Sequence, residues 1–214
     1  MRLAIPDTVR RIPIDDPPRA IKEFAAILGA VRDLPASSAD LEPVAAEAVE
    51  TALREGAFLM AVVTPPDAAP AVLTGVVIEV PPSWDTDTAE SLRDAMEDVG
   101  GPDVRETVAL ETGLGMAVMA QRVPGVEQAR ERRALTVQLQ AFIPEPGSGR
   151  MLLLTLACPS THGWSAHQEL FARLVVSARG DDAVDEEPES TPEPVRRRPA
   201  PVEEDSFEAH TYQL

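Results

Sequence analysis

Three side chains capable of nucleophilic or metal chemistry fall close together in the sequence: Cys158, His162 and His167, in the run CPSTHGWSAH. A thiol beside an imidazole is the nucleophile and base of acyl transfer, provided the histidine comes within hydrogen-bond reach and donors exist for an oxyanion. One thiolate and two imidazoles would also make three of the four ligands of a zinc ion. The spacing Cys-x3-His-x4-His matches none of the strong zinc patterns. Cys158 also closes an apolar run, MLLLTLAC, where a lone cysteine reads as a small buried hydrophobe. No catalytic residue, metal ligand or cofactor site is therefore assigned from the sequence.

Other patterns could bind rather than react. Arg122, Arg130, Arg132 and Arg133 concentrate positive charge around a Pro-Gly turn, interleaved with Glu127 and Glu131. They form either a solvated hairpin tip or an anionic docking spot. Phe207, Tyr212 and Leu214 restore apolar bulk in SFEAHTYQL after a polar stretch. Flanked by acids, they have the makings of a short linear motif that orders on binding. These seven residues are the candidate partner-binding set. Trp84 and Trp164 sit in loops, as caps over the core or as recognition anchors. Gly113 and Gly115 in ETGLGMAV lack the rest of a nucleotide-binding fingerprint and a following helix, so they read as a hairpin turn.

The charge balance narrows the partners. A formal net charge of -17 over 214 residues repels phosphate backbones, which argues against DNA and RNA, and it disfavours anionic membrane surfaces. A single cysteine excludes internal disulfides and suits a reducing compartment. Residues 1–16 carry no apolar stretch of the secretory type, and no segment approaches the length of a membrane span. The expected location is the cytoplasm, without membrane insertion. Among 19 basic residues only Lys22 is a lysine, a bias of coding rather than of function.

The elements that must position these residues follow from periodicity. After Arg179 the composition changes to eleven acidic residues against three arginines and five prolines, which leaves -9 for residues 1–179. Such a segment buries too little apolar surface to offset its ordering entropy. The expectation is one domain over 1–179 and a disordered acidic, Pro-rich tail over 180–214. Helical spacing predicts a helix from Pro18 to Asp33, capped by Asp16, and a second from after Ser38 to Glu55, closed by Gly56. A third helix is expected behind a capping box of Asp87 and Glu90, and a last one behind a box of Ser165 and Gln168. Six strands are predicted: 57–64, 71–80, 103–111, 114–122, 133–143 and 150–157. Leu135, Val137, Leu139, Ala141 and Ile143 alternate with polar residues, as in a sheet wetted on one side, whereas Met151–Leu154 is apolar on both faces and reads as a central strand. The fold class is α+β: a mostly antiparallel sheet of about six strands flanked by helices, with an N-terminal helix pair.

The run LTVQLQAFIPEPGSGRMLLLTLACPS followed by ELFARLVVSAR resembles the C-terminal half of PsbP-like domains, and of uncharacterised proteins of high-GC bacteria with that fold. The resemblance covers residues 57–179 and implies an antiparallel sheet flanked by helices in an accessory, partner-binding protein without catalytic activity. The N-terminal helix pair departs from the family's pattern, in which strands come first. Residues and resemblance together favour a non-enzymatic protein that binds another protein. Two other classes stay open: a cysteine- or metal-dependent hydrolase using the Cys158/His162 loop, and a carrier of a small molecule.

Overall fold

The computed structural model describes residues 1–31, 41–80, 84–99, 103–124 and 136–180, all within a compact unit that spans Met1–Ala183. The expected disordered tail, and with it Phe207, Tyr212 and Leu214, lies outside the described residues, as do Arg130, Arg132 and Arg133.

Seven strands form one antiparallel sheet. In chain order they are β1 (Val9–Arg11), β2 (Ala57–Val63), β3 (Ala71–Glu79), β4 (Val104–Thr112), β5 (Gly115–Arg122), β6 (Val137–Glu145) and β7 (Arg150–Cys158), and they lie side by side as β1-β2-β3-β7-β6-β5-β4. The α+β class with its antiparallel sheet and flanking helices is thus as expected, and β7, apolar on both faces, is the middle strand. The seventh strand is β1. It is only three residues long and pairs Val9 with Val63 and Arg11 with Ala61 at the edge of β2.

Four helices accompany the sheet among the described residues. The first pair is α1 (Pro17–Val31) and α2 (Glu42–Arg54), followed by α3 (Thr86–Val99) and α4 (Trp164–Val176). Asp16 caps α1 as predicted, accepting from the Arg19 N–H at 3.3 Å, and Gly56 follows α2 with φ +76. The other two caps differ from expectation. Asp85 rather than Asp87 caps α3, accepting from the Thr88 N–H at 2.8 Å and the Thr88 hydroxyl at 2.6 Å. An aspartate two residues earlier wins because its carboxylate reaches the third amide of the first turn. Helix α4 opens at Gly163 with no side-chain cap, and Gln168 instead donates to Gln121 Oε1 at 2.7 Å.

The sheet buries both faces. On one, Leu59, Leu73, Leu139, Ile143, Leu154 and Leu156 meet Leu170, Phe171, Leu174 and Val175 of α4 in the main core. The opposite face is shared: Met60 and Val62 lie under Phe24, Ile27, Ala45 and Val49 of the α1/α2 pair, while Val118 and Ala120 lie under Ala89 and Met96 of α3. Each fully buried aliphatic or aromatic side chain contributes roughly 1.5–3 kcal/mol by removal from water. Trp84 and Trp164 both act as half-buried caps, donating from Nε1 to the Met116 carbonyl at 2.9 Å and to Gln121 Oε1 at 3.3 Å. No helix among the described residues is long and apolar enough to cross a membrane.

Candidate functional site

The Cys158 loop is a sealed clasp. Cys158 ends β7 with no exposed surface, and its neighbour is His167, fully buried on the first turn of α4, at 3.9 Å from Sγ to Nε2. His162, the other predicted partner, is exposed and lies outside this pair. The His167 Nε2 stands 2.6 Å from the Ala69 carbonyl. A carbonyl can only accept, so Nε2 carries the proton, and it cannot also receive one from the thiol. The thiol hydrogen is directed instead to backbone oxygens, with Pro70 O at 3.6 Å and Ala69 O at 3.9 Å. Among the described residues, Nδ1 has no hydrogen-bond partner although it is buried. Burial holds the imidazole below its ordinary pKa of 6.5, against the smaller opposing effect of the Ala69 hydrogen bond.

The surrounding backbone closes the clasp. Ala69 N–H donates to the His162 carbonyl at 3.1 Å, and Gly163, at φ +67, passes so close to the β2–β3 loop that a Cβ there would lie 2.4 Å from Ala68 Cβ. Among the described residues no group of three or more His, Cys, Asp and Glu side chains is gathered as for a metal. The arrangement therefore does structural work: it ties the β2–β3 loop to the β7–α4 loop.

Arg122 is the one described member of the predicted basic cluster. Its guanidinium donates to Asp103 Oδ2 and to Gln140 Oε1, both at 2.9 Å. Both partners are at least half-buried, so this arginine fixes the end of β5 to the β4 start and to β6.

A different surface is open. At the other end of β7, on the face that carries α4, a cleft of about 470 Å³ lies between residues 1–5 and the sheet. Leu59 and Leu152 make an apolar floor, and Phe58 and Val77 line it while remaining 50% and 47% exposed. The volume lies within the usual range of ligand clefts, about 300–1,000 Å³. Phe58 owes its exposure to a bulge between Ala57 and Leu59, and its ring reaches Gly75, where an added Cβ would meet Phe58 Cε1 at 3.4 Å and Leu59 Cβ at 3.2 Å. Arg2, Arg11 and Arg150 stand at the rim with one carboxylate among the described lining residues, Glu145, which holds Arg150 at 2.8 Å. Arg11 is exposed and makes no ion pair among the described residues. A neighbouring cleft of about 530 Å³ shares Phe58 and Arg11 and adds Arg19, Asp15 and Glu23.

Sequence reasoning did not point to this cleft. The segment AFLMAVV is apolar at every position, so no alternation marks Phe58 as the residue turned outward. No protein-family model matches the chain, and no curated protein matches it either. The functional reading therefore rests on the geometry.

Proposed function

We propose that the chain is a non-enzymatic accessory protein that works by binding another protein, and that the cleft beside residues 1–5 is where it does so. The observation that carries this reading is the half-exposed pair Phe58 and Val77 over a buried apolar floor. Large apolar side chains lining one concavity mark an interaction site more often than scattered ones do. The thiol and imidazole brought together among the described residues, by contrast, are buried and committed to backbone carbonyls. The resemblance to PsbP-like domains supports the same class of function. The single cysteine, buried and free, suits work in the cytoplasm.

A photo-crosslinking residue placed at position 58 in the native host tests the reading. A covalent adduct with another protein is expected at 58 and not at Val44, which is equally exposed on α2. Absence of any adduct at 58 would overturn it. A second reading, a small-molecule carrier, is favoured by the volume of the same cleft. Native mass spectrometry of protein purified from its host would show a co-purifying mass on the wild type that is lost in Val77→Glu.

A further inference from the structure

We infer that the cleft takes its protein partner as an added β-strand: an extended acidic segment that pairs with the backbone edge presented by Leu3 and Ile5 and sets an apolar side chain between Phe58 and Val77. This rests on the binding function proposed above and names the chemistry of the partner.

The edge is defined by hydrogen bonds. Arg2 N–H donates to the Arg179 carbonyl at 2.8 Å, and Arg179 N–H returns a bond to the Arg2 carbonyl at 3.1 Å, an antiparallel bridge. Two residues on, Ala4 N–H donates to Ser177 Oγ at 2.9 Å, in the same direction. Exposure alternates along the segment: Met1, Leu3 and Ile5 are half-buried against the main core, and Arg2, Ala4 and Pro6 are exposed. The segment is therefore extended, and in an extended chain the amides of successive residues point to opposite sides. Those of Leu3 and Ile5 consequently face away from Arg179. Among the described residues neither the Leu3 N–H and C=O nor the Ile5 N–H has a hydrogen-bond partner. An unpaired row of this kind is a template for another strand.

The other two features specify what that strand carries. Its side chains would alternate, so every second one would enter the apolar cleft and the rest would meet the rim. Arg11, which makes no ion pair among the described residues, and Arg150, which is shared with Glu145, put positive charge on that rim in a chain of net charge -17. An acidic partner is thereby favoured, and the planar guanidinium fork suits carboxylates. A fatty carboxylate would match the floor and the rim but would leave the Leu3 and Ile5 amides unpaired. The free edge is what selects a peptide.

The experiment uses the full-length chain, labelled with 15N, and a capped synthetic peptide alternating Glu with Phe and Val. Saturable binding is expected, with amide shifts and slowed hydrogen exchange concentrated at Leu3 and Ile5. Arg11→Glu should weaken binding roughly fivefold to twentyfold, with a matching loss at high salt. Phe58→Ala should weaken it about tenfold or more. A peptide N-methylated on alternate residues, which cannot donate along one edge, should lose binding by a similar factor. Equal binding of the N-methylated peptide, shifts confined to other parts of the sheet, or binding of decanoate but not of the acidic peptide would each overturn the inference. A cellular adduct at position 58 combined with any of these outcomes would leave the proposed function standing and remove only the strand-addition mode. Failure of the crosslink would remove the parent reading itself.

Discussion

The two ends of β7 share one face of the sheet and differ in how that face is closed. At Cys158 the β2–β3 loop and the β7–α4 loop interlock, and a thiol and an imidazole disappear into the core. At Arg150–Leu152, among the described residues, no such interlock forms and residues 1–5 are what reaches over the floor. Length explains part of the difference. The 13 residues of α4 span roughly 20 Å, whereas the nine residues of β7 span roughly 30 Å, so one helix cannot cover the whole strand. The end with reactive residue types is filled, and the end with plain aliphatic and aromatic residues keeps a cleft. Accessibility, more than residue type, decides where function can lie.

The comparison can be broken most strongly at Gly163. Its left-handed backbone and the absence of room for a Cβ both resist substitution. Gly163→Ala should cost roughly 2–5 kcal/mol in urea unfolding, combining a left-handed penalty of about 1–2 kcal/mol with the displacement of Ala68. Gly147, in the β6–β7 turn at the open end, has a similar φ of +72 and nothing within 4 Å of its would-be Cβ. Gly147→Ala should therefore show the backbone penalty alone. Equal losses for the two variants would mean that the clasp is not tightly packed.

His167 provides a pH test of the sealed end. Its pKa is lowered in the folded state from 6.5, so the unfolded chain binds the proton more readily. Stability from this source is complete above pH 6.5 and falls as the pH drops below it, by at most about 1.4 kcal/mol for each pH unit. His167→Gln keeps an N–H for the Ala69 carbonyl but does not titrate, so its stability should lack this component between about pH 5 and 6.5. An unchanged acid profile in the variant would assign the effect to other groups. Cys158 gives the smaller companion effect. Its thiol should react with an aromatic disulfide reagent only on unfolding, and Cys158→Ala should cost about 1 kcal/mol. Rapid modification of the native protein would show that the clasp opens.

How much of this could be read from the sequence depends on whether one segment carries the signal alone. In β6 the alternation of Leu139, Ala141 and Ile143 with Gln138 and Gln140 is written in consecutive residues, and the structure buries the first set fully and the second only in part. In β7 the apolar run predicts the central position it occupies. β1 is not legible, because three residues between Pro6 and Pro13, two of them exposed arginines, become a strand only by pairing with β2. The partner of Cys158 had a signal that was available: His167 stands three, four and seven residues before Leu170, Phe171 and Leu174, on the buried stripe of α4. His162 precedes that helix and shares no such spacing. The cleft had no signal in any one segment, since its lining comes from residues 1–5, β1, β2, β3, the end of β6 and the start of β7.

The smallest expected stability effects fall at the open end, where they separate a binding site from a flaw in packing. A buried phenylalanine truncated to alanine commonly costs about 3–5 kcal/mol. Phe58 is half exposed, and its bulge already directs it out of the core, so Phe58→Ala should cost less than about 1 kcal/mol. Arg11, exposed and without an ion pair among the described residues, should tolerate reversal to Glu within about 0.5 kcal/mol. Both variants are nevertheless expected to lose peptide binding, because what they remove faces the cleft rather than the core. Urea unfolding measured beside the peptide titration decides between the two accounts. If Phe58→Ala costs as much as a core truncation, then the ring is a structural wedge over Gly75, and the cleft beside it is space the fold failed to fill.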